Sequence, residues 1–173
     1  MSKKIIFISI TVLWIVLFGT FIFYKEFTLR TGEKILLKTV PVDPRDLFRG
    51  DYVVLSYEIS NLELSNFENK NLEFEEGDTI YVGLRKDDKY WAASNVYKEK
   101  PATLAIRGSV ENKRGSALNV EYGIESFFVP EGEGKELERY RNSRNLDVEV
   151  SVDKFGNGVI NNLYIDDEIW IAP

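Results

Sequence analysis

Hydrophobic and polar positions divide the chain into two unlike parts. Residues Ile5 to Tyr24 form a run of 20 residues without a charge, and 14 of them are Ile, Leu, Val or Phe. At 1.5 Å rise per residue, a helix of that length covers roughly 30 Å, about one bilayer hydrocarbon core. The run is apolar on every helical face, unlike the one-sided stripe of a helix packed on a soluble core. Summed on an insertion scale, its aliphatic and Phe residues favour the membrane by on the order of 6 kcal/mol. From Lys25 onward the pattern changes to short alternating segments. Leu146-Asp147-Val148-Glu149-Val150-Ser151-Val152-Asp153 alternates without a break. A period of two predicts a strand with Leu146, Val148, Val150 and Val152 in a core and Asp147, Glu149, Ser151 and Asp153 in water. Phe155-Gly156-Asn157-Gly158 follows, and Asn-Gly is expected to supply the positive φ angles of a tight hairpin. Val159–Ile165 is the returning strand.

Further strands are expected at Lys34–Thr39, Tyr52–Ile59, Thr79–Arg85, Tyr90–Tyr97, Thr103–Val110 and Leu118–Tyr122. Asp87-Asp88 and Lys113-Arg114-Gly115-Ser116 read as hairpin turns. One short helix is expected at Lys135–Asn142, with Leu137 and Tyr140 inward. Glu131, Glu133 and Glu136 lie toward its start and Arg139, Arg141 and Arg144 toward its end, the sense that suits the helix dipole. Asn61–Glu76 is polar and is compatible with a loop or a short helix. The spacing predicts a mainly β domain, an antiparallel sandwich or small barrel with one short helix, behind a single N-terminal transmembrane helix. The expected division is an anchor at 1–24, a tether at 25–32 and an extracytoplasmic β-rich domain at 33–173.

Charge sets the orientation and narrows the partners. Lys3 and Lys4 precede the run, while Lys25 and Arg30 after it are offset by Glu26, which favours an N-terminus inside and a domain outside the cytoplasmic membrane. A cleaved leader would be shorter and end in a small-x-small site, whereas this run ends Phe21-Ile22-Phe23-Tyr24. The 149 residues from Lys25 carry 20 basic and 28 acidic side chains, a formal charge of −8. That disfavours nucleic acid as a partner. The chain has no histidine and no cysteine. Imidazole general bases, Cys–His and Ser–His–Asp sites, and disulfides are thereby excluded. Neither a P-loop nor a GxGxxG motif is present, and a metal would have to be oxygen-bound; Glu131-Gly132-Glu133-Gly134-Lys135-Glu136 could offer a divalent cation carboxylates or be a solvated loop leading into the helix. Ser151-x-x-Lys154 lies at a strand end, where the odd separation puts the side chains on opposite faces rather than together as on a helix. Asp153, Asn157 and Gly158 match part of a calcium loop without its helices or its final Glu.

The densest local pattern is Pro41-Val42-Asp43-Pro44-Arg45-Asp46-Leu47-Phe48-Arg49-Gly50-Asp51-Tyr52-Val53-Val54-Leu55-Ser56-Tyr57. Asp43, Arg45, Asp46, Arg49, Gly50, Asp51 and Tyr52 form the candidate functional turn. Its carboxylates suit acid–base or ligand work and its guanidinium groups suit an anion, while the competing reading is an Asp–Arg network that fixes a strand entry. From Asp51 on, Val53, Leu55, Tyr57 and Ile59 share one face and Tyr52, Val54, Ser56 and Glu58 the other. Leu55 and Tyr57 are the motif's expected core.

Gly50-Asp51-Tyr52-Val53-Val54-Leu55-Ser56-Tyr57 resembles, letter for letter, the signature of the GDYXXLXY proteins. Val42-Asp43-Pro44-Arg45, Tyr122-Gly123-Ile124-Glu125 and Phe128-Val129-Pro130-Glu131-Gly132 with Gly134 are also similar to that family. The resemblance implies a single-anchor protein and a membrane partner, since members tend to be encoded beside, or fused to, multi-pass membrane proteins. It implies no particular chemistry. A fainter similarity of Val42–Asp51 to type I signal peptidases fails at the nucleophile, whose place Val42 occupies. The leading expectation is a non-catalytic, membrane-anchored binding or accessory domain. The alternative is a carboxylate- or metal-dependent hydrolase at the membrane surface using Asp43, Asp46 and Asp51. Tyr81, Trp91, Tyr97, Tyr122, Phe127, Phe128 and Tyr164 would form a binding patch if several surfaced together. A pocket flanked by the carboxylates would favour the enzyme, and an exposed apolar patch the binding module.

Overall fold

A computed structural model describes residues 3–41, 52–69, 71–130 and 134–171. The apolar run is helical, and the helix outlasts it: α1 spans Lys3–Thr31, so residues 25–31 of the expected tether continue the same rod. α1 is long and apolar enough to cross a membrane, and the side chains of Ile5 and the large apolar residues that follow it are exposed. Near its end it meets the head. Thr28 is buried, and Ser151 donates to the carbonyl of Leu29 at 3.3 Å.

The head is built of antiparallel strands. β1 (Glu33–Lys38), β9 (Leu146–Val152), β10 (Gly158–Ile165) and β11 (Glu168–Ile169) form one sheet in the order β1-β9-β10-β11. β3 (Asn61–Glu63), β4 (Thr79–Asp87), β5 (Tyr90–Tyr97), β6 (Ala105–Arg114) and β7 (Ala117–Glu121) form a second, ordered β3-β7-β6-β4-β5. β2 (Tyr52–Val54) pairs with β8 (Ser126–Phe128) as a ribbon, and α2 (Gly134–Asn142) packs against β2. Inward residues of all three layers share one core, which includes Ile35, Leu37, Val53, Leu55, Tyr57, Ile80, Ile106, Leu118, Leu137, Val148 and Leu163. The expected mainly β architecture with one short helix is what the chain adopts.

Four local expectations are corrected. Tyr52–Ile59 is not one strand: β2 ends at Val54, Tyr57 makes an isolated bridge to Thr39, and Glu58–Ser60 is a 3-10 turn. The alternation nonetheless holds, with Val53, Leu55, Tyr57 and Ile59 all buried. Packing on two sides, against the carbonyl of Glu125 and the amide of Val40, replaces a regular ladder. Second, the polar face of β9 is not all in water. Ser151 is covered by α1, and Asp147 lies beneath Tyr90, whose hydroxyl donates to it at 2.7 Å. Third, the β9–β10 connection is not an Asn-Gly turn. The positive φ belongs to Gly156 (+91°), and the Asp153 carboxylate organises the loop by accepting from the amides of Phe155 (2.8 Å) and Asn157 (2.9 Å). Fourth, the polar stretch Asn61–Glu76 is not only loop or short helix: a 3-10 turn at Leu64–Asn66 follows β3, and Leu62, Leu64 and Phe74 are buried.

Candidate functional site

Of the candidate turn, Asp43, Arg45, Asp46, Arg49, Gly50 and Asp51 lie outside the described residues, as do Glu131 and Glu133. The described part begins at Tyr52. Its ring, half-buried, meets that of Phe128 at 5.9 Å between centroids, because the two residues face each other across β2 and β8. Leu55 and Tyr57 are buried, as their alternation requires. The Leu55 amide donates to the carbonyl of Glu125 at 2.8 Å, and the Tyr57 hydroxyl donates to the carbonyl of Ile124 at 2.6 Å. Tyr122 answers from the other side by donating to the carbonyl of Ile59. The Glu125 carboxylate closes the intervening turn by accepting the Tyr122 amide at 2.6 Å. The segment 52–59 and the segment 122–128 are thus each other's hydrogen-bond partners.

Burial pushes the Tyr57 and Tyr122 hydroxyls well above the ordinary tyrosine range, and the charge of Glu125 adds to it. Neither is available as an acid or base near neutral pH. Both hydroxyls satisfy backbone carbonyls that burial would otherwise leave bare.

Arg141 lies in the last turn of α2, as expected, and it is only 2% exposed. Its guanidinium donates to the carbonyl of Val54 and, at 3.2 and 3.1 Å, to the side chain of Asn142. Burial lowers its pKa, against an opposing push from Glu138. The signal was present in the spacing: Leu137, Tyr140 and Arg141 fall at i, i+3 and i+4, one helical face. Arg141 therefore fastens α2 to the back of the motif strand.

The ribbon leads to an exposed apolar edge. Phe127 packs edge-on against Trp170 at 6.2 Å, which brings β8 beside the segment after β11. Neighbouring side chains on those two segments face solvent: Phe128 is 80%, Ile169 52% and Ile171 81% exposed. Of the seven aromatics expected to form a patch, Phe128 is exposed, Tyr122 is buried and the other five are half-buried. Ile169 and Ile171 were missed because a two-residue edge strand gives no periodic signal.

A family model for GDYXXLXY proteins matches residues 14–163. The chain belongs to that family. No curated protein and no solved structure matches it. In this GDYXXLXY protein the described part of the signature is architectural: Tyr52 opens the ribbon, while Leu55 and Tyr57 lock it to the 122–128 segment. Among the described residues, no cluster of three carboxylates is arranged to hold a metal ion. The carboxylate-site reading rests on Asp43, Asp46 and Asp51, which lie outside them. What the described surface offers chemically is exposed apolar side chains, Phe128 on β8 beside the signature strand and Ile169 and Ile171 in and after β11, able to bury apolar area against a partner.

Proposed function

We propose that this GDYXXLXY protein is a non-catalytic, membrane-anchored module whose extracytoplasmic head binds and supports a membrane or envelope protein. The observation that carries the reading is the exposed trio Phe128, Ile169 and Ile171 beside the Tyr52–Phe128 pair. Large apolar side chains left in solvent on two segments joined by the Phe127–Trp170 contact favour association, and an aromatic residue among them is the usual core of a binding patch. The β11 edge adds open backbone groups to which another chain can pair. Lys3 and Lys4 before the apolar run support an N-terminus in the cytoplasm, with the head across the cytoplasmic membrane. A multi-pass membrane protein is the partner class that the family resemblance implies, and it would meet Ile169 and Ile171 with a segment reaching beyond the bilayer, since β11 lies at the end of its sheet away from Tyr24.

Site-specific photo-crosslinking in native membranes tests the reading. A crosslinker at position 128 is expected to give one discrete adduct with a membrane protein, lost when Ile171→Asp is added. The same group at the exposed Lys113 position, on the β6–β7 hairpin, is expected to give none. Identical adducts from both positions, or none from 128, would overturn it.

A further inference from the structure

We propose that the β9–β10 turn, with Lys154 and Phe155 at its tip and Arg107 beside it, seats in the phospholipid headgroup layer of the bilayer that holds α1. The head then rests on the membrane at two places instead of swinging on its helix. This rests on reading α1 as an anchor, and it adds the pose of the head.

Depth is the first ground. The apolar run ends at Tyr24, a residue type that favours the membrane–water boundary. The Tyr24 hydroxyl donates to the Asp153 carboxylate and accepts from the Asn157 side-chain amide at 2.9 Å. The turn therefore stands level with the last residue of the run. Beyond Tyr24, Phe27 is still 53% exposed and stacks on Phe23 at 6.2 Å, so apolar surface reaches slightly past that level.

Rigidity is the second. From Tyr24 to Leu29 a helix climbs about 7.5 Å, and from Asp153 back to Ser151 a strand climbs about 7 Å. Contacts at both ends, Tyr24 with Asp153 and Leu29 with Ser151, hold helix and strand side by side as they leave the membrane. The turn itself is pinned by the Asp153 carboxylate and by Gly156, whose carbonyl accepts from the Arg107 amide at 2.8 Å. A Cβ at Gly156 would come within 3.1 Å of the Ala105 carbonyl and the Arg107 amide. Phe155 is thus held outward, 54% exposed, on a turn that does not need to reorganise.

Chemistry is the third. The Lys154 ammonium lies 5.0 Å from the Phe155 ring centroid, which joins a cation and an aromatic face at one tip. Arg107 is exposed one contact away, and Lys25 follows Tyr24 on the helix. On a head with a formal charge of −8, these cations gather at the end nearest the membrane. Of the acidic groups there, Asp153 accepts from Tyr24, Asn157 and the turn amides, Glu26 pairs with Arg30 at 2.6 Å, Glu121 borders the groove beside Arg107, and Glu33 stands across from Val152 at the start of β1. Cations flanking an aromatic ring suit phosphate groups above an acyl boundary.

The chain contains no cysteine, so nitroxide labels can be placed singly on the full-length protein in phosphatidylcholine–phosphatidylglycerol vesicles. Leu13→Cys reports the anchor, Phe155→Cys the turn, and Glu168→Cys the opposite end of the same sheet. Collision rates with oxygen and with a water-soluble nickel chelate are compared. The label at 155 is expected to collide with the chelate several-fold less often than that at 168, and to lose this protection when Arg107→Glu and Lys154→Glu are added. A lipid-buried label at 13 with equal chelate access at 155 and 168 would overturn the seating and leave the anchor standing. A water-accessible label at 13 would overturn the anchor itself, and the seating with it. Protection at 155 that survives both charge reversals would overturn the phosphate contact.

Discussion

Tyr57 shows how much of the signature is concerned with folding. Its ring is fully buried and its hydroxyl bonds to the Ile124 carbonyl at 2.6 Å. Tyr57→Phe keeps the ring but leaves that carbonyl without its donor, a loss of about 1–3 kcal/mol for a buried acceptor. Unfolding of the full chain in detergent should register that loss, and an unchanged melting temperature would deny Tyr57 this role. Carboxylates set the response to acid. Burial alone would raise the Asp153 carboxyl, but hydrogen bonds from Asn157, Tyr24 and the turn amides outweigh it and hold it below the usual range. Glu149 behaves alike, with Asn161, Asn162 and Lys34 outweighing burial. A lowered folded-state pKa contributes stability that is complete above the ordinary value, about 4, and is lost as the pH falls through the lowered one. Asp147 has the opposite sign, because burial raises it despite the Tyr90 hydrogen bond, so its cost at neutral pH fades on acidification. Asp153→Asn should therefore flatten the acid limb of the melting-temperature profile, and an unaltered limb would contradict that assignment. At this scale the inward face of 53–59 was legible because alternation survives even where the ladder breaks. The burial of Ser151 and Asp147 was not, since it depends on which element comes to lie over each, and period alone does not carry that.

Elements were legible where their pattern is local. β5 matches its expected bounds, and β4, β6, β7 and α2 differ from theirs by a few residues at the ends. The β9–β10 connection misled because Asn-Gly is only a preference. The Asp153 carboxylate, bonding two residues of the turn, Phe155 and Asn157, moves the left-handed residue to Gly156. The helix–sheet junction is the element on which the proposed membrane pose depends. At Gly32 the chain leaves α1 for β1, and a Cβ there would lie 2.6 Å from the Thr28 carbonyl and 3.0 Å from that of Val152. Backbone, not a yielding side chain, occupies the space. Gly32→Ala should loosen the contact of α1 with β9, lower the melting temperature and increase the mobility of a label at position 155. A variant that melts and moves like the parent would show that the junction tolerates the extra atom.

The molecule as a whole joins an apolar rod to an acidic antiparallel β head. That architecture could be read from the sequence because two hydrophobic periodicities, none over residues 5–24 and two-residue thereafter, are physically exclusive. The exposure of Phe128, Ile169 and Ile171 could not, because it depends on how the Phe127–Trp170 contact joins segments distant in the chain. Function at a membrane depends on α1 remaining attached and inserted. Alkaline extraction of native membranes followed by intact-mass measurement tests this most directly. The full 20.0 kDa chain should stay with the lipid pellet, and a shortened chain beginning after residue 24 and released into the supernatant would contradict it.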